Sequence, residues 1–276
     1  MARIIWLSLL VLLPAAGQKI SLRYGTVSRE DVERRLNSFQ DSNVKREQTL
    51  KQLFEEAGCT GEQLSEQPVQ HSKTPNLICT LPGETDSVVL VGGHFDFVER
   101  GKGVVDNWSG SSLLPSLFLS VKAVPRRHTF VFVAFTDEEK GMVGSKFYVH
   151  ELGKQRLAKI SAMVNIDSIG TGPTKVELDR ADRKLANALG GGAAFLKMPL
   201  SVVNVHQVGA SDSDSFQDKK VPAISIHSLT QETWPILHSW RDQLSAIKLD
   251  DYYNTYLLLR VYLAELDQIL DAPAAQ

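Results

Sequence analysis

Three apolar runs in this chain each stop at groups that can hold a cation. The run from Val88 ends in Gly93-His94-Phe95-Asp96, the run from Phe130 to Phe135 leads into Asp137-Glu138-Glu139, and the run from Ala162 to Ile166 leads into Asp167. Strands that are apolar on both faces belong to a parallel sheet covered by helices, and ligands of such sheets bind beyond the carboxyl ends of the strands. The three runs therefore predict acids and imidazoles converging on one sheet edge.

The rest of the chain alternates accordingly. Ser28 caps a long amphipathic helix reaching Ala57, with Asp31 at N3 as a weak capping box and Gly58 behind its end. Strands are expected at 76–81 and 88–92, separated by the Pro82-Gly83 turn, and at 128–136, 162–167, 175–178, 200–205 and 221–227. Helices are expected at 109–123, kinked by Pro115, and at 141–152, 182–189 and 250–270, with Gly190-Gly191-Gly192 as a hinge. This pattern gives a three-layer α/β/α sandwich with a mixed, mostly parallel central sheet, Pro82-Gly83 permitting a hairpin at its N-terminal edge.

At 276 residues and 43% hydrophobic, the chain can build one sizeable α/β core. Its formal net charge of −2, with both signs interspersed, gives no footprint for nucleic acid or an anionic membrane. Arg3, the apolar stretch Ile4 to Leu13 and the small residues Pro14-Ala15-Ala16-Gly17 read as a secretory signal, leaving residues 18–276 as a single exported domain, periplasmic or secreted. The alternative, a membrane anchor, needs roughly 20 apolar residues and finds about half that number. Cys59 and Cys79 suit an oxidising compartment as one disulfide; the alternative is a pair of buried thiols.

His94, Asp106, Glu139, Asp167 and His238 form a set of nitrogen and oxygen ligands that zinc accepts, too many for one tetrahedral ion with an open position. Two Zn²⁺ ions sharing one carboxylate resolve the count. With Asp106 as the bridge, one ion takes His94 and Asp167 and the other Glu139 and His238, and each keeps a position for water or substrate.

The segments Gly93-His94-Phe95-Asp96, Gly103-Val104-Val105-Asp106-Asn107-Trp108-Ser109-Gly110, Glu138 to Ser145, Asn165-Ile166-Asp167 and His238 to Asp242, in this order, resemble the co-catalytic zinc aminopeptidases of the bacterial leucyl aminopeptidase type, whose relatives include glutaminyl cyclases and glutamate carboxypeptidases. The resemblance covers Asn76 to about Ile247. It implies the same five ligands, Asp106 as bridge, Glu138 as the general base toward a water held between the ions, Asp96 as the acid behind His94, Asp242 near His238, and a cis peptide at Asp106-Asn107. It also implies a peptide substrate with a free N-terminus. One departure is Ser213, where many members carry His in a Ser-Asp-His loop, which leaves Ser211 and Asp212 without an assigned role.

Two other readings stay open on this scaffold: a glutaminyl cyclase, and a catalytically silent peptide-binding relative. Cyclases of this type carry Trp immediately before the final His, where this chain has Leu237, with Trp240 after it. Trp108, Trp234 and Trp240 flank the candidate ligands and could line a pocket or pack in the core. His71, His128, His150, His206 and His227 are read as polar residues without metal. Asn107-Trp108-Ser109 fits a glycosylation sequon but abuts the proposed bridge, and no zincin helix, nucleophile elbow or phosphate loop is present.

Overall fold

The computed structural model describes residues 9–11, 20–204 and 209–270. The expected signal lies mostly outside these, as does His206. Leu9–Val11 (β1) pairs antiparallel with Ile20–Leu22 (β2), apart from the main sheet. Arg29–Asn37 (α1) and Asn43–Glu56 (α2) follow, then Leu64–Gln67 (β3), Asn76–Leu81 (β4), Val88–His94 (β5), Ser109–Ser111 (α3), Leu114–Lys122 (α4), Thr129–Phe135 (β6), Val143–Leu157 (α5) and Ile160–Ile166 (β7). Lys175–Val176 (β8), Arg183–Leu196 (α6), Ser201–Val202 (β9), Asp212–Gln217 (α7), Ala223–His227 (β10) and Leu249–Ile269 (α8) complete the chain.

The main sheet has eight strands in the order β3-β4-β6-β5-β7-β10-β8-β9. Its centre, β6-β5-β7-β10, is parallel. On one side β4 is antiparallel to β6 and β3 to β4; on the other, β8 is antiparallel to β10 and parallel to β9. Alternating residues point to opposite faces, which sorts the core into two layers. Val89 and Val91 pack with Phe54 of α2, Phe118 of α4, Leu189 of α6 and Leu259 of α8. Leu90, Val133 and Met163 pack instead with Tyr148 of α5 and Phe216 of α7. The three-layer sandwich with a mixed, mostly parallel sheet is thus present.

Several local expectations differ. The single helix over 28–57 is two helices. Ser28 caps the first, its hydroxyl accepting from the Asp31 N–H at 3.1 Å, but Ser38 Oγ donates to Arg35 O at 2.7 Å and ends it, such back-bonding competing with the helical ladder. Pro82-Gly83 makes no hairpin: β4 pairs with β6, and its hairpin partner is β3, a short strand too polar to stand out. Pro115 lies in the first turn of α4 and starts that helix instead of kinking one, because its missing N–H is spared there. Gly190 to Gly192 is no hinge, since α6 continues through it against α8. The strand expected from Leu200 shortens to two residues, and its final residue, Val205, lies outside the described residues. The Ser211 to Phe216 loop is a helix, α7, opened by a capping box in which Ser211 and Asp214 satisfy each other's backbone N–H groups. Cys59 and Cys79 are joined in a disulfide, tying the end of α2 to β4.

Candidate active site

The parallel registry brings three strand ends to one edge, with His94 opposite Phe135 and Gly92 opposite Asn165. His94 therefore stands level with the chain as it enters Asp137-Glu138-Glu139 and Asp167. A tight turn delivers the fourth group. Gly103, at φ 52°, starts it, where a Cβ would lie 2.2 Å from that of Phe97. The Asp106–Asn107 peptide that follows is cis, as the resemblance implies. Asn107 then fastens this turn to β7: its amide donates to Ile166 O at 2.9 Å, and its Oδ1 accepts from Gly110 N and Ser168 N. A fully buried side chain with those bonds is no glycan acceptor.

The result is one carboxylate facing two imidazoles. Asp106 Oδ1 is 3.2 Å from His94 Nε2, and Oδ2 is 3.2 Å from His238 Nε2. Asp167 Oδ2 lies 3.7 Å from His94 Nε2 on one side, and Glu139 Oε2 lies 2.9 Å from His238 Nε2 on the other. All five predicted ligand residues thus gather as two triads, His94-Asp106-Asp167 and Asp106-Glu139-His238, each with ligand atoms within 4.8 Å of one another. Glu138 stands beside the first of these, its Oε2 4.0 Å from His94 Nε2.

Supporting groups fix this geometry. Asp96 Oδ1 is 3.5 Å from His94 Nδ1, and its two oxygens accept from Glu138 N at 2.9 Å and Glu139 N at 3.1 Å, so it holds the His94 strand end to the glutamate turn. Asp242 does not serve His238. Its carboxylate accepts from Val105 N and Asp106 N at 2.7 and 3.2 Å, and so orients the shared aspartate. Asp137, Met142, Ser168 and His238 all have left-handed backbone, four of seven such non-glycine residues among those described. Backbone strain concentrated this way marks a site over-determined by its surroundings.

Electrostatics say what the cluster is suited to hold. Burial, offset in part by His94 and reinforced by Asp212, Asp167 and Asp106, pushes the Glu138 carboxyl well up. Hydrogen bonds to Asp106 and Glu139 raise His238 to about 10, and His94 is driven up by Glu138, Asp106, Asp167 and Asp96 despite the opposing effect of its burial. So much negative charge draws protons onto its imidazoles, and Glu139 Oε1 is buried with no hydrogen-bond partner. Divalent cations between these atoms fit both observations.

A cavity of about 400 Å³ opens over the cluster, lined also by Met142, Ala210, Leu229, Trp234 and Leu237. Trp234 is thus the pocket tryptophan; Trp108 is buried in the core, donating to Leu36 O, and Trp240 is 74% exposed. Sequence reasoning gives no role to Ser168, Glu177, Ser225 or His227, which also line the pocket but belong to none of the recognised motifs. It also leaves Asp212 undecided, a fully buried carboxylate at the start of α7 whose charge is felt at Glu138. A larger cavity, about 600 Å³, lies at the other end of β6 among Arg23, Arg126, Arg260 and Asp267, and among the described residues it brings no such triad together.

Residues 76–262 match the family described as peptidase family M28. Aminopeptidase YwaD of Bacillus subtilis is 27% identical over 172 residues, 58% of this chain and 37% of that protein. The chain spans less than half the length of the curated relatives it matches. In fold it is similar to the LapA aminopeptidase of Legionella pneumophila, at a TM-score of 0.78 and 21% identity over 88% of this chain and 73% of that one. It is likewise similar to a glutaminyl cyclase from an Acidobacteriales bacterium, at 0.67 and 16% over 87% and 93%.

Proposed function

The chain belongs to peptidase family M28, and from that premise we propose that it is an exported zinc aminopeptidase, residues 18–276 forming one domain that removes N-terminal residues from peptides. The observation that carries this reading is the Asp106 carboxylate shared between two imidazole-carboxylate triads. His94, Asp106 and Asp167 would hold one zinc, and Asp106, Glu139 and His238 the other. Two zinc ions, when bound, lower the pKa of water and polarise a carbonyl.

The chain's own residues supply the rest. Glu138, whose Oε2 stands 4.0 Å from His94 Nε2 and outside both triads, accepts a proton as the carboxylate from the attacking water and returns it to the leaving amine. Asp96 holds His94 and the glutamate turn in register, so base and ligands move as one unit. The substrate's free α-amino end lies in the cavity that opens over the five ligands. Met142, Leu229, Trp234 and Leu237 shield the substrate's side chain from water.

A specific observation weighs against cyclisation: Leu237, not a tryptophan, precedes His238, and Trp240 projects into solvent, so the pocket is not closed over a single small side chain. The test is metal dependence. Exhaustive chelation abolishes activity, zinc restores it, and Asp106→Ala loses both ions because it removes the shared ligand. Full turnover after verified metal loss contradicts the proposal.

A further inference from the structure

The family match begins at residue 76, yet a buried cation from the chain before it reaches the loop under the site. Arg46, on α2, is fully buried. Its Nε donates to Gln40 O at 2.8 Å, its Nη1 to Phe95 O at 3.0 Å and its Nη2 to Lys102 O. The guanidinium carbon lies 4.2 Å from the ring centroid of Phe97 and 5.5 Å from that of Trp108. A buried guanidinium is costly unless its donors are satisfied and its charge answered, and here the acids acting on it are Asp242, Asp96 and Asp106.

The placement of those acceptors matters more than their number. Phe95 follows His94, and Lys102 precedes the Gly103 turn that delivers Asp106. One planar fork therefore closes both ends of the loop that separates the two groups, while α1 secures the same turn through the bond from the Trp108 indole N–H to Leu36 O at 2.9 Å. We infer that Arg46 is a positioning residue for the metal site: by clasping Phe95 to Lys102 it sets the distance between His94 and the shared Asp106. The N-terminal helices are then part of the catalytic apparatus, not a cover for one sheet face. A lysine at this position keeps the charge but cannot present two donors in fixed geometry.

This inference rests on the two-zinc reading above, and its test separates the two. Zinc affinity of the apo protein is measured by competition with a chromophoric chelator, beside apo thermal melting, for wild type and Arg46→Lys. Arg46→Lys is expected to melt cooperatively, to bind its weaker zinc roughly 10–100-fold less tightly, and to regain turnover in excess zinc. A folded Arg46→Lys with wild-type zinc affinity overturns the clasp; a wild type that binds no zinc overturns the metal-site reading instead. If Arg46→Lys does not fold, Phe97→Leu decides the matter: it uncovers one face of the guanidinium while leaving the hydrogen bonds, and is expected to weaken zinc roughly two- to fivefold. Unchanged affinity in that variant also overturns the inference.

Discussion

Glu138 and Glu139 share a backbone turn but face different neighbours. Glu139 reaches His238 and keeps one buried oxygen unpartnered, whereas Glu138 stands 4.0 Å from His94, outside either triad. Glu138→Gln is therefore expected to retain both metals and lose about 10²–10⁴-fold in turnover, the usual worth of a general base. Glu139→Ala is expected to release or weaken one metal. Elemental analysis of the two purified variants checks this, and equal metal content contradicts the division of labour. Residues of this kind are legible in sequence because each ends a recognisable apolar run or sits in a distinctive turn. Asp242 is less so: that it is acidic and near His238 is visible, but that it points back to the Asp106 backbone depends on how two loops 136 residues apart meet.

At the scale of elements, amphipathic period and capping chemistry locate most helices, and continuous apolar runs locate the central strands. What misleads is local competition that tertiary contacts resolve: the Ser38 back-bond that splits one helix into two, the polar β3, and the glycines of α6. Gly191 and Gly192 border a carboxylate. A Cβ on Gly191 would lie 3.4 Å from Glu265 Oε1 of α8, and burial between the helices pushes Glu265 up to about 7. With the folded value above the unfolded one, the fold takes up a proton here, so the protonated contact is fully present below about pH 4.5 and is lost as pH rises toward 7. Glu265→Gln is expected to melt with wild type at pH 4.5 and several degrees above it at pH 8, each kcal/mol being worth about 2–4 °C in a chain of this size. Melting curves that stay parallel across that range contradict the assignment.

For the molecule as a whole, the sheet order is what sequence reveals least. It shows that strands end in candidate ligands, but not that β4 crosses to β6 or that β8 turns antiparallel to β10, since pairing partners are set by contacts distant in the chain. The site survives that uncertainty because the parallel β6-β5-β7 unit alone aligns three of its corners. Around this unit the molecule adds Asp242 from one long loop, Arg46 from the N-terminal helices, and the Cys59–Cys79 disulfide between α2 and β4. Among the described residues no helix is long and apolar enough to cross a membrane.

The central claim is that this assembly uses water to release an N-terminal residue. Mass spectrometry of the zinc-loaded protein incubated with unblocked dipeptides, their N-acetylated forms and Gln-initiated peptides tests it most directly. Free amino acid from the unblocked dipeptides, little from the acetylated ones and no pyroglutamate is the predicted result; loss of ammonia from Gln-initiated peptides without shortening, or two bound zincs with no turnover of any substrate, contradicts it.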